Sequence, residues 1–137
     1  MSKSAVFAEE LLLKVFNNVE FSWLPLNKFY IALHTGDAGK EGNQGTNECA
    51  YTNYKRQAMY RTNDTDWLIS GGTVKNKTQI VFPTCTGGNE TATYFSIGTT
   101  ESEIGAIIYS GVLKTSIPIS LNIRPQFGIG AIVILEN

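Results

Sequence analysis

Charge is scarce in this chain, and what there is comes one residue at a time. Asp, Glu, Lys and Arg make up 17% of the 137 residues, 11 basic against 12 acidic, for a net charge of −1. A surface that holds nucleic acid needs clustered Lys and Arg to neutralise phosphates. No such stripe is present, so nucleic acid is not expected as a partner. Histidine is scarcer still, with His34 the single one. Zinc sites gather Cys and His at short spacing, and His34, Cys49 and Cys85 are scattered, so neither metal nor cofactor is expected. Two cysteines are too few for a disulfide framework and read as reduced thiols of a protein made in a cytosol. Long apolar runs are missing as well: none approaches the ~20 residues of a membrane helix. Glu9, Glu10, Lys14 and Glu20 would interrupt the apolar core of a leader peptide. A membrane is not expected as a partner.

What is present suits one globular domain over residues 1–137, with 42% hydrophobic residues. Ser4 to Val19 predicts a helix. Phe7, Leu11, Val15 and Val19 recur every four residues with Leu12 and Phe16 beside them, an apolar stripe at helical period expected to pack on a sheet, with docking on a neighbouring subunit as the alternative. Ser4 is a suitable N-cap, and Glu9 and Glu10 lie toward the positive end of the helix dipole. After it come short β-compatible runs separated by turn residues: 29–34, 51–61, 67–69, 78–83, 91–98, 106–113, 116–121 and 123–135. Asn63–Asp66 reads as a turn before Trp67. In the run 91–98, Phe95 and Ile97 share the parity that suits a core. Pro118 demotes its strand to an edge or a strand start. This spacing predicts a mainly β fold, an antiparallel β-sandwich of jelly-roll-like kind with one N-terminal helix. From Ile104 on, only Lys114, Arg124 and Glu136 are charged. That third is expected deep in the core or at a subunit interface, with both parities of 129–135 covered. The apolar surplus predicts self-association.

The centre of the chain is Asn27–Arg56. A strand at Phe29–His34 runs into a long polar loop, about residues 36–50, before the pattern returns at Tyr51. Loops of that length are commonly functional. Apart from Cys49 this one has no apolar side chain larger than alanine to offset a backbone entropy of about 1–2 kcal/mol per residue, so it is expected to order only against a neighbour. Asp37, Lys40, Glu41, Asn47, Glu48, Tyr51, Tyr54 and Arg56 are accordingly the candidate partner contacts. Chemistry is not expected here. His34 with Asp37 suggests a base and its orienter, but no G-x-S-x-G or catalytic cysteine signature accompanies them. Asp37, Glu41 and Glu48 do not have EF-hand spacing. The segment DAGKEGNQG lacks the phosphate-loop order. Tyr51, Tyr54, Tyr60 and Trp67, interleaved with Lys55, Arg56 and Arg61, would serve as a platform for sugars or as a protein contact, with Trp67 itself expected in the core.

Several of these residues also carry a resemblance. Ala32-Leu33-His34-Thr35-Gly36-Asp37, Thr46-Asn47-Glu48, Tyr51, Tyr54, Arg56, Trp67, Phe82-Pro83, Thr86-Gly87-Gly88, Phe95, Ile97-Gly98, Tyr109-Ser110-Gly111 and Leu113 occur in an order that resembles a family of small tailed-bacteriophage proteins. Its members are labelled tail-fibre-like, and some resemble head decoration or cement proteins. The resemblance spans nearly the whole chain and implies a structural part of the virion, made in the bacterial cytoplasm. The expected role is a capsid decoration or cement protein bound to the major capsid protein. The alternative is a tail or tail-fibre-associated subunit that contacts host-surface carbohydrate.

Overall fold

The structure, a computed structural model, describes residues 2–23, 25–62 and 65–135. The expected turn at 63–66 lies partly outside them, at Asn63 and Asp64. The elements are β1 (Ser2–Lys3), α1 (Ala5–Asn17), β2 (Lys28–His34), β3 (Gln57–Tyr60), β4 (Trp67–Ser70), β5 (Thr73–Asn76), β6 (Ile80–Val81), β7 (Glu90–Gly98), β8 (Ile107–Ile119), β9 (Gln126–Phe127) and β10 (Val133–Leu135). The expected mainly β, antiparallel fold with one helix is present among the described residues. A five-stranded sheet runs β1-β8-β7-β2-β3, a smaller one β10-β5-β4, and β6 pairs with β9, with every ladder antiparallel.

The core lies on one face of the large sheet. Ile31 opposes Ile97 and Leu33 opposes Phe95 across the β2–β7 ladder. That parity turns all four toward Ile80, Phe82, Phe127, Ile132 and Ile134. Phe127 closes on Phe95 and Phe82 with ring centroids 6.2 and 6.1 Å apart. Phe95 and Ile97 are thus the core pair that their alternation predicts. Cys49 and Cys85 are free thiols buried in the same cluster. The expected strands 106–113 and 116–121 are one strand, β8, in which Pro118 stands opposite Thr91 one residue before the end, and β1 reaches only Tyr109 and Ser110 on the outer side of β8. The missing N–H of Pro118 therefore falls on an edge.

Three expectations are corrected. The first concerns α1. Ser4 caps it as expected: its Oγ accepts from the Phe7 amide at 3.1 Å and its hydroxyl donates to the Ile107 carbonyl. The helix ends at Asn18 (φ +54°), where the Val19 amide reaches back to the Leu13 carbonyl. Yet Phe7 is the one helix residue fully buried, wedged against Tyr109, Phe21 and Trp23. Leu12, Val15, Phe16 and Val19 are exposed. The helix is pinned to β8 by its capped end, and Glu10 ties it to the returning chain through Ser22 and the Trp23 indole N–H, 2.8 Å. Neither anchor brings the far half of the stripe to a sheet.

The second correction is at 129–135. Ile132 and Ile134 are buried, whereas Ile129, Val133 and Leu135 are exposed. β10 edges a small sheet that has the core on one side only, so strand alternation leaves the other parity in water.

The third is the polar loop, which orders on its own chain. Thr35 N–H donates to Asn47 O (2.8 Å), Cys49 N–H to Leu33 O (2.8 Å) and Gln44 N–H to Gly105 O (2.8 Å), while Lys40 O receives the Ala5 amide (2.9 Å). Backbone hydrogen bonds and one buried amide side chain, Gln44, supply what apolar side chains do not. The loop covers the second face of the large sheet, where Ala32, His34 and Ser96 are buried.

Candidate interaction surface

Two ends of the molecule differ in kind, and the residues singled out from the sequence divide between them. At the polar end, the buried Arg56 forms an ion pair with the partly buried Glu48. Arg56 Nε and Nη2 donate to the two Glu48 carboxylate oxygens at 2.7 and 2.8 Å. Nη1 donates to the Thr100 carbonyl at 3.1 Å, and Nη2 also reaches the Glu103 carbonyl. The Tyr54 hydroxyl donates to Glu48 (2.7 Å) and accepts from the Leu33 amide (3.1 Å). Burial works against the Arg56 charge, but the hydrogen bonds and charge of Glu48 outweigh it and raise its pKa. Burial, then the Glu48 charge, drives the Tyr54 pKa up. A guanidinium fork matched to a carboxylate is the strong form of such a pair.

Next to it, Glu90 accepts the amides of Ala50 and Tyr51, both at 2.7 Å, and the Tyr51 hydroxyl donates to Pro83 O at 2.6 Å. Tyr51 is 4% exposed and Arg56 6%. These two, with Tyr54 and Glu48, hold the loop in place from beneath. Asp37, Lys40, Glu41 and Asn47 stand on its exposed rim. Asp37 is committed to the turn through the Gly39 amide, and Asn47 Nδ2 donates to the Asp37 carbonyl. The eight candidates therefore split into an inner half that braces and an outer half that faces solvent.

His34 takes a role that Asp37 does not explain. Its Nδ1 donates to the Thr46 carbonyl at 2.8 Å, which leaves Nε2 to accept from the Ser96 hydroxyl, also 2.8 Å. Ser96 further accepts from Gln44 Nε2 at 3.4 Å, and that amide donates to the Tyr30 carbonyl as well. A serine hydroxyl on a histidine is the geometry of a nucleophile and its base. Here His34 is 1% exposed and Ser96 and Gln44 are sealed entirely. Burial lowers the His34 pKa, against the opposing pull of the Thr46 hydrogen bond. Gln44 packs so closely that a Cβ on Gly98 would lie 2.1 Å from its side chain. Nor is Cys49 poised as a nucleophile, since burial and then Glu90 push its thiol up to about 12. No group of three or more His, Cys, Asp or Glu that could hold a metal occurs among the described residues. Ser96 and Gln44 were not singled out from the sequence. A serine between Phe95 and Ile97 in a strand buried on both faces is the signal that would have found the first.

The apolar end is open. Between the large sheet and β10-β5-β4 lies a cleft of about 420 Å³, walled by Phe29, Trp67, Val74, Tyr109 and Ile134 with Ile69 at its lip. Trp67, Ile69 and Val74 share the inner face of the small sheet, since Ile69 pairs with Val74 and Val74 with Ile134. Ile69 is nevertheless 70% exposed. A bulge between Ile97 and Gly98 shifts the register against β8 beside Ile108, which also lines the cleft. Arg61 is the charged residue among the described lining. Its guanidinium stacks 4.8 Å from both the Trp23 and the Phe29 rings, and burial lowers its pKa. The suggested platform of Tyr51, Tyr54 and Trp67 is not assembled: the two tyrosines pack in the core at the polar end, while Trp67 is a half-buried wall of the cleft.

The cleft and the exposed half of α1 are two apolar surfaces that the described residues leave open, and Ile104, Val112, Leu121 and Ile129 are exposed elsewhere. No curated protein matches the chain. The family described as podophage GP4 fiber I protein gp80 matches residues 2–134, and on that span the chain belongs to this family of phage fibre structural proteins.

Proposed function

We propose that the protein is a tail-fibre-associated structural subunit of a bacteriophage virion that works by binding other virion subunits, further copies of itself included, and carries out no catalysis. The observation that carries this reading is the family match over residues 2–134. It favours the fibre placement over the capsid decoration role expected from the sequence. The structure adds a physical reason for assembly. Leu12, Val15, Phe16 and Val19 lie exposed together on one helix, and Ile69, Ile129 and Leu135 are exposed on the small-sheet side; contiguous apolar surface of this kind commonly marks a contact site. The sealed Ser96–His34 pair argues against hydrolysis. The cleft lining is mostly apolar in exposed surface, with Tyr60, Arg61, Thr62 and Thr65 as polar groups around it, a mix that supports protein side chains as its occupant over a sugar, whose hydroxyls need several convergent polar partners.

Labelling the protein on intact virions tests the placement. Signal confined to the tail, at a few to a few dozen copies, is the expected result. Hundreds of copies spread over the head would return the capsid decoration reading and discard this one.

A further inference from the structure

We infer that the exposed stripe of α1 in one copy seats in the apolar cleft between the sheets of the next. This deepens the proposal that copies of the protein associate, and rests on it, by naming the two surfaces that meet.

Each half is unfinished in the same chain. Leu12, Val15 and Phe16 are 55%, 64% and 77% exposed at helix positions i, i+3 and i+4, and Val19 adds an apolar group just past the cap. A helix that lays such anchors into an apolar groove is a recurrent recognition mode. The cleft has a matching size. An apolar cavity of about 150 Å³ takes a benzene-sized group, so 420 Å³ accommodates Phe16 together with its two neighbours. Charge matches as well. Glu9, exposed one turn before Leu12, borders the stripe, while Glu20 at its far end is ion-paired with Lys14 of the helix. On the cleft side Arg61 lines the wall, and Lys28 sits 5.4 Å above the ring of Tyr60, another lining residue. The acidic Glu9 beside the knob and the basic Arg61 and Lys28 beside the hole favour this pairing over helix against helix, which brings no basic border to Glu9 beyond Lys14, already paired with Glu20.

The chain does not fill its own cleft with this stripe. The α1 residue that meets the cleft lining is Phe7, 5.3 Å from Tyr109, and the exposures above are those left after every contact within one chain. Because the two surfaces differ, the contact is heterologous. It passes from copy to copy, closing into a ring or continuing as a file.

The test uses two variants of the full chain at exposed positions, Phe16→Glu on the stripe and Ile69→Glu at the lip of the cleft. Thermal melts should show both still folded, and sedimentation velocity then reads association. Wild type is expected to associate with rising concentration. Each variant alone should be monomeric, since each lacks one half of the contact. An equimolar mixture should form a heterodimer, because the intact cleft of Phe16→Glu accepts the intact helix of Ile69→Glu. A wild-type monomer at all concentrations overturns the inference. So does association that Ile69→Glu leaves intact, which would indicate a helix-to-helix contact, or a mixture that stays monomeric. None of these outcomes alters where the protein sits on the virion, so this inference and the fibre placement fail separately.

Discussion

The polar end and the apolar end of this molecule reverse the usual association of polarity with surface and apolarity with core. The segment richest in Gly, Asn and charge is internally braced, down to an ion pair. The helix with the cleanest apolar stripe presents most of it to water. Composition decides whether a segment can be buried at low cost; partners decide whether it is. At the polar end most groups placed inside have a specific answer: Arg56 has Glu48 and two carbonyls, His34 has Thr46 and Ser96, Glu90 has two amides, and the Gln44 amide nitrogen has the Tyr30 carbonyl, while the Gln44 side-chain oxygen is left without a partner. Along α1 the exposed apolar groups have no answer within the chain. Satisfied polar groups make a region structural, and unsatisfied apolar ones make it adhesive.

The comparison breaks most readily at the ion pair. Arg56→Ala leaves the Glu48 carboxylate without its cation and two carbonyls without donors. Removing one partner of a fully buried pair costs about 3–5 kcal/mol. Glu48 is partly exposed and keeps the Tyr54 hydroxyl, so urea unfolding should show a clear drop in midpoint, with a loss toward the lower end of that range. A loss below about 0.5 kcal/mol, the level of ordinary surface changes, would mean that the polar end is decoration after all.

A smaller loss is expected from Gly98→Ala. The new methyl meets the Gln44 side chain, which is fully buried and held by the Tyr30 carbonyl. Overpacking of this kind costs about 1–3 kcal/mol, and amide exchange should speed up first in the loop around Gln44. Unchanged protection there would show that Gln44 swings aside freely.

Acidification probes the same end more gently. His34 titrates below its ordinary value of 6.5 in the folded protein because burial disfavours its charged form. Just below pH 6.5 the unfolded chain thus binds more protons than the native one, and stability falls as pH falls. The loss begins near the unfolded value and levels off once the folded histidine has itself protonated. The charges of Glu48 and Asp37 pull its pKa up and that of Arg56 pushes it down, all outweighed by burial. His34→Gln should flatten the slope of unfolding free energy between pH 7 and pH 5.5, and an unchanged slope would assign it to other groups.

Much of this fold was legible. Ser4 as cap, Phe95 and Ile97 as the core pair and Pro118 at an edge all follow from short-range rules that the structure obeys. The loop was misread because an entropy argument from side-chain size counts only apolar compensation. Its order comes instead from long-range hydrogen bonds, such as Gln44 to Gly105 and Ala5 to Lys40, whose partners lie far along the chain. The Ser96–His34 contact was invisible for the same reason, joining residues 62 positions apart. The stripe on α1 was read correctly as a stripe. What covers it is not written in its period, because a helix bound for another subunit has the same 3.6-residue rhythm as one bound for its own sheet.

The smallest expected effect is the most discriminating. Phe16→Ala removes the most exposed aromatic of the helix, at 77% exposure, from a position that already makes few contacts. If the stripe serves the isolated domain, the change should cost what a buried phenylalanine costs, about 3–5 kcal/mol. If it serves assembly, the stability of the dilute protein should shift by less than about 0.5 kcal/mol, as at surface sites generally. Alanine also favours helix over phenylalanine, which trims the cost further. The same variant should lose association in proportion to the apolar area it no longer buries. Melting it dilute and then concentrated separates the two roles in one experiment. The wild type should gain melting temperature with concentration, since binding stabilises the state that binds. Phe16→Ala should match the wild type when dilute and gain less when concentrated. A variant destabilised equally at both concentrations would put Phe16 in the core's service and remove the contrast between the two ends.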